Sequence, residues 1–236
     1  MGVPTMNIDE SLLRDAEVHL RAGSVTVAGH LTIPQHPVGI VVFAHGSGSS
    51  RHSPRNRHVA DVLNEAGLAT LLFDLLTPDE ERDRANVFDI NLLARRLIEV
   101  TDWLATQPDT ASLPVCYFGA STGAGAALAA AADPRGKIAA VVSRGGRPDL
   151  AAEKLQHVQA PTLLLVGGRD DVVLELNRYA QNQMRTECKL AVISGATHLF
   201  EEPGTLEQVA QQARDWFIGH LTPATRSATR RGKSPC

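Results

Sequence analysis

Six short, almost uninterrupted apolar runs recur along the chain and constrain its fold more than any other feature. They are GIVVFAHG, ATLLFDLL, PVCYFGAS, KIAAVVS, PTLLLVGG and KLAVISG. Strands of a parallel sheet show this pattern because helices cover both faces of such a sheet. Segments with three-and-four apolar spacing lie between or after the runs, at 57–66, 87–104, 124–132, 171–184 and 206–220. The alternation predicts a doubly wound α/β fold with a mostly parallel sheet.

Two further strands are predicted before this series. AEVHLRAG and SVTVAGHLTIP are joined at Gly23 and favour an antiparallel pair. The 236 residues suffice for one α/β domain, which we assign to 14–220. Residues 221–236 contain four Lys or Arg and no apolar periodicity, so a basic, disordered tail is expected there. Little length remains for a cap, and only 77–86 and 144–153 could cover a site.

Composition excludes several classes of protein. No apolar run approaches the roughly 18 residues that a membrane helix needs, and the first residues do not resemble a signal peptide, so a cytoplasmic protein without membrane contact is expected. The net charge of -3 becomes about -7 without the four tail cations, which argues against a nucleic-acid partner. Cys116, Cys188 and Cys236 lack metal-ligand spacing, so neither metal nor disulfide is expected. The oligomeric state is left open, a homodimer included.

The segment YFGASTGAGAAL contains the pentapeptide Gly119-Ala120-Ser121-Thr122-Gly123, a match to G-x-S-x-G. An apolar run precedes it and the helix-forming run AALAAAA follows it, which predicts a strand, a sharp turn and a helix with Ser121 as an exposed nucleophile. The segment lacks the third glycine of a dinucleotide loop and the lysine of a Walker loop. The alternative is that the two glycines only let a helix approach a strand closely.

A serine nucleophile needs a base and a group that orients the base. Ligands gather at the carboxyl ends of strands in such sheets. Asp170 and His198 each follow an apolar run, and the order Ser, Asp, His is the one that an α/β-hydrolase uses. We prefer Asp170 to Asp171, which is expected to be the N-cap of the following helix. Asp149, after the preceding strand, is the fallback acid.

The segment FAHGSGSSRHSPRN follows the first parallel strand and offers backbone N–H groups for a tetrahedral oxyanion. Ser47 is our candidate donor there, together with the N–H of Thr122 behind the nucleophile. The alternative is a flexible Gly/Ser loop. His45 is expected to orient this loop rather than to act as the base, and Arg51 in the same segment is a candidate for substrate binding.

Arg144, in SRGGRPDL, is a second candidate for substrate binding. It comes directly after a predicted strand, where a guanidinium could hold a carboxylate or phosphate of the substrate through two parallel hydrogen bonds. The alternative is that Arg144 pairs with Asp149 or another acid and only stiffens the loop.

With HGSGSS, GASTG, Asp170 and His198 in place, residues 14–220 resemble the α/β-hydrolase superfamily. More narrowly they resemble the dienelactone-hydrolase-like group, which includes members fused to phosphoribosyltransferase domains. FAHGSGSSRHSPRN, NVFDINLLARRL, SRGGRPDL and VGGRDDVVLELNR carry this closer likeness. True dienelactone hydrolases use a cysteine nucleophile, and Ser121 occupies that position here.

The resemblance implies hydrolysis through an acyl-enzyme without metal or organic cofactor. The expected substrate is a small or medium carboxylic ester or lactone. A peptidase or thioesterase would use the same three residues, and a non-catalytic binding protein on a hydrolase fold is the alternative from another class.

Overall fold

The computed structural model describes residues 12–221, so residues 222–236 of the predicted tail lie outside the described residues. An eight-stranded sheet forms the centre, in the order β1-β2-β4-β3-β5-β6-β7-β8. Its strands are β1 Leu12–Ala22, β2 Val25–Pro34, β3 Gly39–Ala44, β4 Leu68–Phe73, β5 Val115–Ala120, β6 Ile138–Arg144, β7 Thr162–Gly167 and β8 Cys188–Ile193.

The two N-terminal strands are antiparallel to each other, and β2 is antiparallel to β4. All pairs from β4 through β8 are parallel. The predicted doubly wound, mostly parallel sheet with an antiparallel opening pair is therefore confirmed.

Helices cover both faces of the sheet. They are α1 Pro54–Glu65, α2 Pro78–Glu81, α3 Arg84–Phe88, α4 Ile90–Leu104, α5 Thr122–Ala131, α6 Asp171–Gln183 and α7 Thr205–Leu221, with a 3-10 segment at Pro148–His157. One core cluster packs α4 and α5 against the sheet, and the other packs α1 and α7 against the opposite face. Every residue of β3, β4 and β7 is buried, which explains why these strands read as continuous apolar runs.

The helix that the spacing predicts at 87–104 is divided in two. Asp89 ends α3 and begins α4, and its carboxylate accepts hydrogen bonds from Asn91 N and Leu92 N. These bonds satisfy N–H groups that have no partner within the helix, so Asp89 favours a new helix start over continuation. The short helices α2 and α3 occupy the segment that could have served as a cap.

Parallel pairing brings the ends of the central strands to one edge. Ala120 at the end of β5 is paired with Arg144 at the end of β6, and Gly167 of β7 is paired with Ile193 of β8. The loops that follow these strands are therefore neighbours, and they contain Ser121, Asp170 and His198.

Candidate active site

Ser121 lies in a strained turn between β5 and α5, with φ 49° and ψ -121°. Both glycines of the pentapeptide are required by packing. A Cβ on Gly119 would lie 2.4 Å from Ala124 Cα, and one on Gly123 would lie 2.2 Å from Ala44 O. Close approach thus accounts for the glycines, but it does not require a serine with positive φ. Such strain is typical of residues held in place for function.

The side chain of Ser121 does not cap α5, and the residue lines an open cleft of about 520 Å³. Residues 46–50 and 52–55, from the loop after β3 and the start of α1, line it, and so do His198 and Leu199. Arg144 completes the lining beside Ser121. Within residues 12–221, α2 and α3 do not line this cleft itself, but they line an adjoining cavity of about 430 Å³ that shares Ser47 and Gly48 with it.

Asp170 and His198 are joined directly, with 2.6 Å between Asp170 Oδ2 and His198 Nδ1. The Asp170 side chain is 15% exposed and that of His198 is 38% exposed. Because the carboxylate accepts the Nδ1 proton, Nε2 is left as the proton-accepting nitrogen of a neutral ring. Within residues 12–221 no hydrogen bond joins Ser121 to His198, so these two residues meet as neighbours in the cleft lining.

The prediction for Asp171 is wrong. The N-cap position of α6 belongs to Asp170, and Asp171 is the first helical residue. The Asp170 side chain makes no capping bond, because its carboxylate is directed to His198 instead. Asp149, the fallback acid, pairs with Arg147 at 2.8 and 2.9 Å.

Glu202 connects the loops that carry Asp170 and His198, a role that no motif in the sequence indicates. Its carboxylate accepts hydrogen bonds from Thr197 N at 3.0 Å and Thr197 Oγ1 at 2.8 Å, and it pairs with Arg169 at 2.7 Å. The bonds from Thr197 lower the pKa of Glu202 to about 2. Arg169 N also donates to Ala196 O at 2.9 Å. The acid loop and the base loop are therefore held together at a second point.

The loop after β3 lies directly on the nucleophile turn. A Cβ on Gly46 would be 3.1 Å from Ser121 Cβ. His45 fixes the loop with both ring nitrogens, since Nδ1 lies 3.0 Å from Gly46 O and Leu75 N donates to Nε2 at 3.1 Å. The ring must donate at Nδ1 and accept at Nε2, so it is neutral. Removal from water is the main cause that lowers its pKa. These contacts agree with an orienting role for His45.

A neutral His45 predicts a specific loss of stability in acid. Its folded pKa lies below the unfolded value of 6.5, so the unfolded state takes up the proton more readily as the pH falls below 6.5. His45→Gln removes this titration. We expect wild type to lose more free energy of unfolding than His45→Gln between pH 7.5 and 5, by about 1.4 kcal/mol per unit of pKa difference.

Urea denaturation at the two pH values measures this difference. His19→Gln, at an exposed position of β1, serves as the control and is expected to keep the wild-type pH dependence. Equal pH dependence for wild type and His45→Gln would contradict a buried neutral ring.

The two predicted oxyanion donors come from the loop after β3 and from the start of α5. Ser47 follows Gly46 and lines the cleft. Thr122 is the first residue of α5, where backbone N–H groups have no acceptor within the helix. Both residues also line a small cavity of about 30 Å³ behind the loop. Because the first N–H groups of α5 have no acceptor within the helix, the N-terminus of α5 places a partial positive charge beside Ser121.

The substrate-binding prediction for Arg51 is not supported, because the residue lies outside the cleft. Its backbone N–H donates to Asp74 Oδ1 at 2.8 Å, and its guanidinium pairs with Asp74 and, at 3.3 Å, with Glu17. Two carboxylates neutralise the charge, so Arg51 anchors the loop to the end of β4. The sequence could not show that these acids lie within reach.

Cys116 is buried in β5, and burial raises the pKa of its thiol to about 12, so it is no competing nucleophile. Among residues 12–221, no three His, Cys, Asp or Glu side chains are grouped as a metal site. No helix of that same region has both the length and the apolar character to cross a membrane.

Comparisons with known proteins identify the family of this fold. A family model described as an alpha/beta hydrolase domain matches residues 37–218. A dienelactone hydrolase from Anabaena variabilis is 56% identical, with a TM-score of 0.86 over 90% of this chain and 100% of its own. Est1E from Butyrivibrio proteoclasticus is 17% identical, with a TM-score of 0.74 over 87% of this chain and 98% of its own, and shows the fold alone.

Two curated relatives from Mycobacterium tuberculosis, strains CDC 1551 and H37Rv, are each 75% identical over 209 residues. Both are provisionally named phosphoribosyl transferases. The match covers 89% of this chain but only 47% of each relative, so the chain spans about half the length of these proteins.

Proposed function

The chain belongs to the alpha/beta hydrolase family, and from that premise we propose that it is a serine hydrolase acting on small or medium carboxylic esters or lactones. The family and the hydrolase neighbour support a hydrolytic function. The observation that carries the finer proposal is the 2.6 Å contact between Asp170 and His198 in a site shared with the strained Ser121.

In the proposed mechanism, Ser121 Oγ attacks the carbonyl carbon while His198 Nε2 takes its proton. Asp170 holds the ring in the required tautomer and stabilises the imidazolium. The imidazolium then protonates the departing alkoxide, which leaves an acyl group on Ser121. A water molecule, deprotonated by His198, attacks the acyl carbon, and the proton returns to Ser121 Oγ as the acid departs. The contact between Ser121 and His198 is expected to tighten when a substrate fills the cleft.

The N–H groups of Ser47 and Thr122 are proposed to receive the oxyanion, and each such donor typically contributes about 3 kcal/mol to catalysis. His45 supports this arrangement, because its hydrogen bonds with Gly46 O and Leu75 N restrain the loop that contains Ser47. The open cleft of about 520 Å³ and the minimal cap support a small or medium substrate.

The name of the curated relatives does not conflict with this proposal. It describes proteins of which this chain matches only 47%, and the matched half is the one that contains the hydrolase fold. Phosphoribosyl transfer can therefore belong to the other half of those relatives. We propose hydrolysis for the region that they share with this chain.

A fluorophosphonate probe tests the proposal, because it reacts with activated serines. We expect labelling of wild type and none of Ser121→Ala. A panel of p-nitrophenyl esters, aryl thioesters and aminoacyl anilides then separates the substrate classes, with the highest kcat/KM expected for esters. Preference for thioesters or anilides would replace the esterase by the thioesterase or the peptidase. Absence of both labelling and turnover would favour a non-catalytic binding protein.

A further inference from the structure

Arg144 is a buried arginine without a carboxylate partner. It is 7% exposed, and among residues 12–221 no Asp or Glu forms an ion pair with it. Its Nε has no hydrogen-bond acceptor, and Nη2 reaches only Asn56 Oδ1 at the long distance of 3.5 Å. The guanidinium lies 5.9 Å from the centre of the Phe200 ring. The alternative that Arg144 pairs with Asp149 or another acid is wrong for the described residues, since Asp149 pairs with Arg147.

Arg96 is a buried arginine with a structural role, and it has both hydrogen-bond acceptors and a carboxylate partner within the protein. It is 4% exposed, donates to Leu75 O and Ala22 O, and pairs with Glu80 at 2.7 Å. Its charge and its donors are thus satisfied inside the protein. Arg144 is similarly buried, but among residues 12–221 its Nε–H has no acceptor and its charge has no carboxylate. A buried charge without a partner is unfavourable unless a ligand supplies one.

The position of Arg144 is fixed by its surroundings. It ends β6 beside Ala120, the residue before the nucleophile. Gly145 then turns with φ 52°, and a Cβ there would lie 3.1 Å from His198 O. Asn177 Nδ2 donates to Gly146 O at 3.0 Å and holds the turn from α6. The guanidinium is therefore held in the cleft between α1 and the His198 loop.

The cleft itself is positive. Among the described residues 12–221, no Asp or Glu belongs to its lining, whereas Arg55 and Arg144 both do. Arg55 pairs with Glu201 at 3.2 Å, so Arg144 is the cation that lacks a counter-charge. The N-terminus of α1 has no acidic residue in its first turn and adds a partial positive charge from the same wall. Burial and, secondarily, Arg55 lower the pKa of Arg144 to about 10, so it stays charged at neutral pH.

We propose that Arg144 binds a carboxylate on the substrate, so that the protein prefers monoanionic esters or lactones to neutral ones of the same size. The inference rests on the proposed hydrolase function. A planar guanidinium with free donors matches the two oxygens of a carboxylate. One uncompensated positive charge matches a monoanion better than a phosphate dianion.

Matched substrates test this preference on either side of the ester. The first set is 4-carboxyphenyl, 4-carbamoylphenyl and 4-phosphonophenyl acetate, in which only the leaving group changes. The second is p-nitrophenyl hemiadipate against p-nitrophenyl hexanoate, in which only the acyl end changes. We expect kcat/KM for the carboxylate to exceed that of the neutral ester by about tenfold or more in at least one set, a difference of about 1.4 kcal/mol.

Arg144→Gln is expected to reduce this selectivity ratio by about tenfold or more, mainly through KM, and Arg144→Lys is expected to recover only part of it. Arg147→Gln is the control. Arg147 is three residues after Arg144, pairs with Asp149 and does not line the cleft. This control variant should keep the wild-type ratio. Far-UV circular dichroism checks folding, and Arg144→Lys carries the test if Arg144→Gln does not fold.

A binding measurement separates the two proposals. Ser121→Ala is titrated calorimetrically with monomethyl adipate, and Ser121→Ala/Arg144→Gln is expected to bind it at least about tenfold more weakly. If wild type hydrolyses no ester but Arg144→Gln still weakens binding of monomethyl adipate, the hydrolase proposal is refuted and the anion site is kept. Equal losses for charged and neutral esters, or unchanged binding, would overturn the role of Arg144. Preference for the phosphonate would overturn the assignment to a carboxylate.

Discussion

Replacement of Ser121 by Ala is expected to lower kcat for ester hydrolysis by at least about 10³ while the protein stays folded. The substitution removes a hydroxyl that makes no capping bond and faces an open cleft, so no core contact is lost. Steady-state kinetics with a p-nitrophenyl ester measures the loss, and the melting temperature checks the fold. Activity within tenfold of wild type would show that Ser121 is not the nucleophile.

His198→Ala is expected to be similarly disabling, because serine and histidine act as one unit in the proposed mechanism. The double substitution should then be little worse than either single one. Losses that multiply in the double variant would contradict a shared role.

Gly123→Ala is expected to destabilise the protein more than any surface substitution. The new Cβ would lie 2.2 Å from Ala44 O and 2.4 Å from His45 O, and both atoms belong to backbone that cannot rotate away. Such overpacking costs about 3 kcal/mol or more. For a domain of this size we expect the melting temperature to fall by roughly 6–12 °C, as measured by calorimetry.

Gly219→Ala provides the matched control within the same chain. Gly219 lies inside α7, and a Cβ there would have no heavy atom within 4 Å. Alanine favours a helix interior over glycine by about 1 kcal/mol, so this variant should be as stable as wild type or more so. Similar melting temperatures for the two variants would disprove the close packing of α5 on β3.

The strands of the sheet could be predicted from the sequence, because strands buried on both faces consist of almost continuous apolar residues. All six apolar runs became strands. The same regularity brought Ser121, Asp170 and His198 to one edge, since parallel strands end on the same side. The contact between Asp170 and His198 could therefore be anticipated from chain order and strand ends alone.

Pairings between side chains were harder to predict, because they depend on which groups the fold brings within reach. Arg144, the last residue of β6, and Arg147, in the loop that follows, are both near Asp149 in sequence, and only Arg147 pairs with it. Arg51 forms ion pairs with Asp74 and Glu17, which are distant from it in sequence. The N-cap of α6 was likewise misassigned to Asp171, because the sequence does not show that the carboxylate of Asp170, the actual N-cap residue, binds His198 instead of capping the helix.

Under our proposal, the uncompensated charge of Arg144 creates a trade-off between thermal stability and substrate selectivity. Buried charges are often replaced by apolar side chains of similar size without loss of stability, or even with a gain. Laboratory evolution that rewards only survival at high temperature should therefore discard Arg144 early, and with it the anionic-substrate preference that we propose for this residue. Evolution that rewards turnover of an anionic ester should retain the arginine and accept a lower melting temperature.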